Sequence, residues 1–206
     1  MLGRCHLITD TRPGRDLLGV LPAALDAGVD VVQVRVKEAG DREVLALVET
    51  VLGLCAPYRA SCIVDDRLDV ALAAGADGVH LGADDLPVAA ARRIAGPELL
   101  IGATARDPAS GMAAVAAGAS YLGVGPAFAT ATKPGLPGPI GPAGVAAVAA
   151  AVTVPVIAIG GVTAEAVGEL LEAGAHGVAV VDAVYGATDP GEAVDKLVRA
   201  LARAAA

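Results

Sequence analysis

Apolar and polar positions along the chain follow two periods, and the switch between them is its most regular feature. Four segments, residues 27–34, 74–81, 117–124 and 173–180, share one pattern. In each, an Ala-rich amphipathic run closes on a glycine (Gly28, Gly75, Gly118, Gly174), and a short apolar or β-branched stretch follows. That is the pattern of a helix stopped at a glycine, a tight turn and a buried strand. Between the repeats lie residues 5–9, 62–64, 99–102 and 154–159, each apolar and bounded by Gly, Pro or charge. Helical periodicity over 17–27, 42–54, 87–95 and 164–173 alternates with these strands. Strict alternation predicts a parallel sheet with right-handed crossovers. Eight strand–helix units in one chain, with no break in composition, predict a single-domain (β/α)8 TIM barrel over residues 1–206. An open doubly wound sheet is the competing architecture. It would want Gly-x-Gly-x-x-Gly after the first strand, where this chain has Asp10-Thr11-Arg12-Pro13-Gly14.

Composition narrows the partners. The chain has 206 residues and a net charge of −8, which argues against nucleic acid and anionic membrane, both of which need clustered Lys and Arg. Aromatics make up 2%, too few for the stacking platforms of single-strand binders. Hydrophobic residues make up 55%, so the core is built from Ala, Val, Leu and Ile, as suits strands buried on both faces. Cys5, Cys55 and Cys62 sit in apolar stretches without metal-ligand spacing and are expected as small buried hydrophobes. No charge occurs between Lys133 and Glu165, but Pro134, Pro137, Pro139, Pro142 and Pro155 interrupt that stretch, so it is not expected to span a membrane. Residues 1–10 lack the apolar run of a signal peptide. A soluble, cytoplasmic protein is expected, with its oligomeric state left open.

In such a barrel the chemistry gathers at the C-terminal ends of the strands. Strand two ends in Gln33, Arg35 and Lys37 at alternate positions, which places all three on the interior face. Arg and Lys there, with no carboxylate on the same strand, call for an anion from outside. Strand three ends in Asp65-Asp66-Arg67 and strand four in a segment carrying Asp84 and Asp85. Two such clusters suit Mg2+, a hard cation that bridges carboxylates and substrate phosphates. One of Asp84 and Asp85 is expected to cap the helix that starts near Pro87. Strand six leads into Thr130, Thr132 and Lys133 and a Pro/Gly-rich active-site loop over 126–142. Strand seven ends in Gly160-Gly161, where backbone N–H groups can approach a phosphate. His6, His80 and His176 sit in apolar contexts and are expected as core residues.

Together these residues resemble the thiamine phosphate synthase family, over nearly the full chain. The resemblance rests on Gln33-x-Arg35-x-Lys37, Asp65-Asp66-Arg67, Val79 to Asp85, Gly125 to Lys133 and Ala158 to Gly161. It implies a transferase that joins hydroxymethylpyrimidine diphosphate to thiazole phosphate, releasing pyrophosphate and giving thiamine phosphate. By that resemblance Arg35, Lys37 and Lys133 draw off the diphosphate with Gln33 beside them, and Asp66 and Asp85 hold Mg2+. Thr130, Thr132 and the Gly160-Gly161 backbone face the thiazole phosphate. Four positions depart from the pattern. Asp65 stands for the usual Asn. Thr104 and Arg106 stand in a stretch that is usually Ser-x-His. Asp182 stands where Ser is common near the thiazole phosphate, so either its carboxylate points away or the second substrate differs. A thiazole tautomerase, a rival on the same fold, needs an acid or base where this chain has Pro126. The same residues would also serve a paralogue alkylating a different nucleophile, or a non-catalytic sensor of a phosphorylated ligand.

Overall fold

The computed structural model describes residues 2–37, 39–132 and 135–203. Eight strands pair in parallel in chain order: β1 (Cys5–Ile8), β2 (Val31–Val34), β3 (Ser61–Asp65), β4 (Gly78–Leu81), β5 (Leu100–Ala105), β6 (Tyr121–Val124), β7 (Val156–Ile159) and β8 (Gly177–Val180). β8 pairs back onto β1, with Leu7 opposite Val180, which closes the barrel. The crossover helices are α1 (Val20–Asp26), α2 (Asp41–Cys55), α3 (Leu68–Ala74), α4 (Val88–Ala95), α5 (Pro108–Ala116), α6 (Gly141–Ala151) and α7 (Val167–Glu172). A short α8 (Asp182–Tyr185) and the long α9 (Pro190–Arg203) follow β8. The (β/α)8 barrel expected from the alternation is the fold.

Period two sorts the strand side chains into two cores. Leu7, Val32, Val34, Cys62, Val64, Val79, Leu81, Leu122 and Val178 point outward and are buried beneath the helices. Ile8, Val31, Ile63, Tyr121, Ile157 and Ala179 point inward and fill the barrel. The interior is therefore packed below, and only the layer above it is free for polar groups.

The four repeats place glycine where the backbone demands it. Gly75 caps α3 in the left-handed region at φ 67°, a conformation that favours glycine. The equivalent glycines after α1, α5 and α7 also take positive φ. The next polar residue of three of these turns serves the neighbouring strand: Asp30 accepts the N–H groups of Arg4 and Cys5, Asp77 that of Cys62, and Ser120 that of Ile101. These side chains tie down the N-terminal face of the barrel.

Boundaries move where sequence periodicity overstates an element. α1 starts at Val20 rather than 17, because Asp16 turns back to accept the Gly19 N–H at 2.9 Å. β7 starts after Pro155, whose ring removes a ladder donor. β5 runs on to Ala105, which carries Thr104 to the top of the barrel. Neither Asp84 nor Asp85 caps α4, whose first flanking residue is Pro87 with no side-chain cap. All three cysteines are free and buried, and burial pushes the Cys55 thiol up to about 11 and the Cys5 thiol to about 12. Among the described residues no helix is long and apolar enough to cross a membrane.

Candidate active site

A cavity of about 340 Å³ opens at the C-terminal ends of the strands. It is lined by Gln33, Arg35, Lys37, Asp65, Asp66, Asp84, Asp85, Thr104, Thr130, Thr132, Gly160, Gly161 and Asp182. Every described residue singled out from the sequence for this site therefore shares one space. Lys133 lies outside the described residues. Arg67 turns away and pairs with Asp41 and Asp69 on the outer surface.

One wall alternates cations with carboxylates. Gln33 donates from Nε2 to Asp65 Oδ1 at 2.7 Å, and Arg35 Nε lies 3.3 Å from Asp65 Oδ2. Lys37 makes an ion pair with Asp66. Strand two carries no carboxylate of its own, and the call for an anion from outside is answered in part within the protein: the partners come from the adjacent strand, which the parallel register of β2 on β3 brings alongside. Burial pushes the Asp65 carboxyl up to about 6, the Asp66 charge adds to this, and Lys37, Arg35 and Gln33 work against it.

Asp66 sits in the left-handed region at φ 64°, a strained conformation for a residue with a side chain. Its N–H donates to the His80 carbonyl at 2.8 Å, which holds it there. The Asp66 and Asp85 carboxyls stand close enough to shift each other in opposite directions. Burial and Asp66 raise Asp85. Asp66 is also pushed up by burial but ends lowered, because its hydrogen bonds to Asp85 and Lys37 prevail. Asp85 also accepts the Gly82 N–H at 2.7 Å, which fixes its carboxylate toward the cavity instead of the helix start.

The floor is neutral. His80 bridges Tyr121, through Nδ1 to the hydroxyl at 3.1 Å, and Thr104, through Nε2 to Oγ1 at 3.1 Å. Burial lowers both His80 and His6 to about 4, so neither carries charge at neutral pH. His6 packs edge-on against Tyr121 and donates to the Gly3 carbonyl. Both histidines are interior residues as expected, and His80 also lines the cavity.

The opposite wall holds Gly160, Thr130, Thr132 and Asp182. Gly160 takes φ 92°, and a Cβ there would come within 2.6 Å of the Pro126 Cβ, so only glycine lets this turn pass close to the loop after β6. Asp182 lines the cavity instead of pointing away. Its Oδ1 accepts from Arg12 Nη2 at 2.5 Å and Arg15 Nη2 at 2.9 Å, and its Oδ2 from Thr132 Oγ1 at 2.7 Å. Burial works to raise the Asp182 carboxyl, but Thr132, Arg12 and Arg15 hold it below its ordinary value. Buried Asp10 grips both arginines from behind, accepting from Arg12 Nη2 at 2.6 Å and lying 3.2 Å from Arg15 Nε. Asp10, Arg12 and Arg15 form a cluster beside the cavity that the sequence pattern does not single out. Their one signal is a charged cluster just past β1.

The Pro/Gly-rich segment expected over 126–142 ends earlier, since α6 begins at Gly141. Arg106, in the position usually held by His in the resembling pattern, donates from Nη2 to the Gly138 carbonyl at 2.7 Å and ties this loop to the end of β5.

A family model described as thiamine monophosphate synthase matches residues 5–184. The thiamine-phosphate synthase of Salinispora arenicola is 59% identical over 203 residues, covering 97% of this chain and 98% of that one. The thiamine-phosphate synthase of Salinibacter ruber is 42% identical over 194 residues, covering 93% and 86%. Among solved structures, the thiamine phosphate pyrophosphorylase of Pyrococcus furiosus superposes with a TM-score of 0.90 at 36% identity, covering 98% and 97%.

Proposed function

The chain belongs to the thiamine monophosphate synthase family and is a transferase that forms thiamine phosphate, and we propose that the cavity at the barrel's C-terminal end is where its two substrates meet. Arg35 and Lys37 take the diphosphate of the pyrimidine substrate, with Gln33 fixing the carboxylate beside them and Lys133 completing the cationic set. Thr104 faces the pyrimidine. Thr130, Thr132 and the Gly160-Gly161 backbone face the phosphate of the thiazole substrate. Asp65 balances Arg35 until the diphosphate arrives.

Asp66 and Asp85 form a pair of neighbouring hard oxygen donors that line one cavity. That donor set fits Mg2+, which binds through one or two carboxylates and keeps waters and phosphate oxygens for the rest. When bound, Mg2+ supplies positive charge against the phosphate oxygens. No larger group of His, Cys, Asp or Glu suited to a metal occurs among the described residues, so substrate oxygens and water would complete the coordination.

The residues fit a reaction limited by charge on the leaving group. Departure of pyrophosphate leaves positive charge on the pyrimidine methylene carbon, and the thiazole nitrogen attacks it. Arg35 and Lys37 hold negative charge as it develops, which is the electrostatic stabilisation such a step needs. His80, lowered to about 4, adds no cation to the floor where the pyrimidine becomes positive. The observation that carries this reading is the wall itself: two cations and a carboxylate pair at the ends of consecutive strands of one cavity. The cytoplasm is the matching location.

The test mixes purified protein with hydroxymethylpyrimidine diphosphate, thiazole phosphate and Mg2+, following pyrophosphate and product mass. Thiamine phosphate formed only with Mg2+ present supports the reading in full. Pyrophosphate without thiamine phosphate overturns the assignment of the second substrate, and thiamine phosphate at full rate without any divalent cation overturns that of the metal.

A further inference from the structure

Asp182 presents two oxygens to three donors that come from separate parts of the barrel top. Arg12 and Arg15 stand on the loop after β1 and Thr132 on the loop after β6, and their donor atoms lie 2.5, 2.9 and 2.7 Å from the carboxylate. Asp10, 3% exposed, orients both guanidinium groups, and the Tyr185 carbonyl accepts from Arg15 Nη1 at 2.6 Å. The donors are therefore fixed from behind, while Asp182, at 43% side-chain exposure, has room to swing outward. Two arginines against two aspartates leave this corner neutral as it stands. A carboxylate offers two acceptor oxygens, whereas a phosphate monoester offers three, enough for one to each donor.

We propose that Asp182 is an internal anion standing in for the phosphate of the second substrate, and that Arg12 and Arg15 are specificity-determining residues which that phosphate takes over when Asp182 swings away. This deepens the synthase reading and rests on it. The subsite then carries charge +1 from its two arginines and Asp10, in place of zero, at the moment a dianion enters. A thiazole lacking its phosphate has no means to displace Asp182 and gains nothing from the arginines. Asp182 sets an affinity threshold that only a phosphorylated partner crosses.

The test uses the full chain and reads KM for thiazole phosphate, KM for the unphosphorylated thiazole alcohol, and the Kd for inorganic phosphate by calorimetry. Asp182→Ser and Asp182→Asn are expected to lower the thiazole phosphate KM about tenfold relative to that for the diphosphate substrate, as loss of a like charge a few ångströms away implies. The inorganic phosphate Kd falls alongside, and the alcohol KM does not. Both gains disappear when Arg12→Gln is added. Arg15→Gln in the otherwise unaltered chain weakens phosphate binding, so the idea stays testable if an Asp182 variant fails to fold. An unchanged or higher KM in the Asp182 variants, with wild type making thiamine phosphate, overturns the proposal and leaves the synthase reading intact. If wild type makes no thiamine phosphate, the reading itself fails, and the calorimetric arm still decides whether an anion competes with Asp182.

Discussion

Arg35 and Asp65 face each other across two neighbouring strands, 3.3 Å apart, with Asp65 pushed up to about 6. Burial is the larger cause, and the nearby Asp66 charge adds to it. A carboxyl raised in the folded state contributes stability that is complete below its unfolded value near 4 and lost as pH rises through about 6. His6 and His80, lowered to about 4, do the reverse: the unfolded chain takes up their protons first, so their contribution is present above pH 6.5 and lost as pH falls through 4.

Asp65→Asn removes only the first of these opposed contributions. The stability advantage of the variant over wild type should therefore grow as pH rises from 4 to 7, by about 2 to 3 kcal/mol. Urea unfolding at pH 4.5 and 7.5 measures it. An advantage that shrinks with rising pH would show that the pairing with Arg35 outweighs burial.

The raised Asp85 carboxyl beside Asp66 gives a signature of metal binding that does not depend on turnover. Mg2+ binding favours the ionised carboxylates, so titrating the protein in weak buffer near pH 5 should release protons as the ion binds, fewer as the pH is raised. Asp85→Asn should abolish the release and raise the half-saturating Mg2+ concentration about tenfold or more. Release unchanged in the variant would place the ion elsewhere.

Much of the site is legible in the chain because it follows from period two. The alternation Gln33, Arg35, Lys37 puts polar groups inward wherever β2 lies, and the barrel fixes which end is open. What a linear pattern does not carry is who faces whom across the closure. Arg12 and Asp182 are nearly a chain length apart and meet because β1 pairs with β8. In the sequence, the charged run after β1 therefore looks like an ordinary loop, and Asp182 looks like an unopposed charge. The cap expected of Asp84 or Asp85 fails for a local reason: the Gly82 N–H lies within reach of Asp85 and takes its carboxylate instead.

Gly160 offers a steric prediction. Its φ of 92° and the 2.6 Å approach to Pro126 leave no room for a methyl group. Gly160→Ala should cost about 2 kcal/mol or more in stability and raise the thiazole phosphate KM, because the turn must back away from the loop carrying Thr130 and Thr132. Gly168→Ala is the control, since nothing lies within 4 Å of a Cβ there. A thermal shift equal in the two variants would refute the packing argument.

Arg106 supplies the last prediction. Its Nη2 donates to the Gly138 carbonyl at 2.7 Å, and its buried Nε has no protein partner. Among the side-chain hydrogen bonds of the described residues, this is the one that reaches the loop between residues 135 and 140 from outside it. A long Pro/Gly-rich segment gains little order from its own sequence, so one charged donor should decide how far it is held over the cavity. Arg106→Ala should speed cleavage of that loop by a nonspecific protease several-fold while the barrel stays intact, and should raise the KM of both substrates together. Arg106→Lys keeps the charge and one donor but not the reach of the guanidinium fork, and should fall between the two. Proteolysis at the wild-type rate in Arg106→Ala would show that the loop is ordered by its own packing, with the arginine merely resting against it.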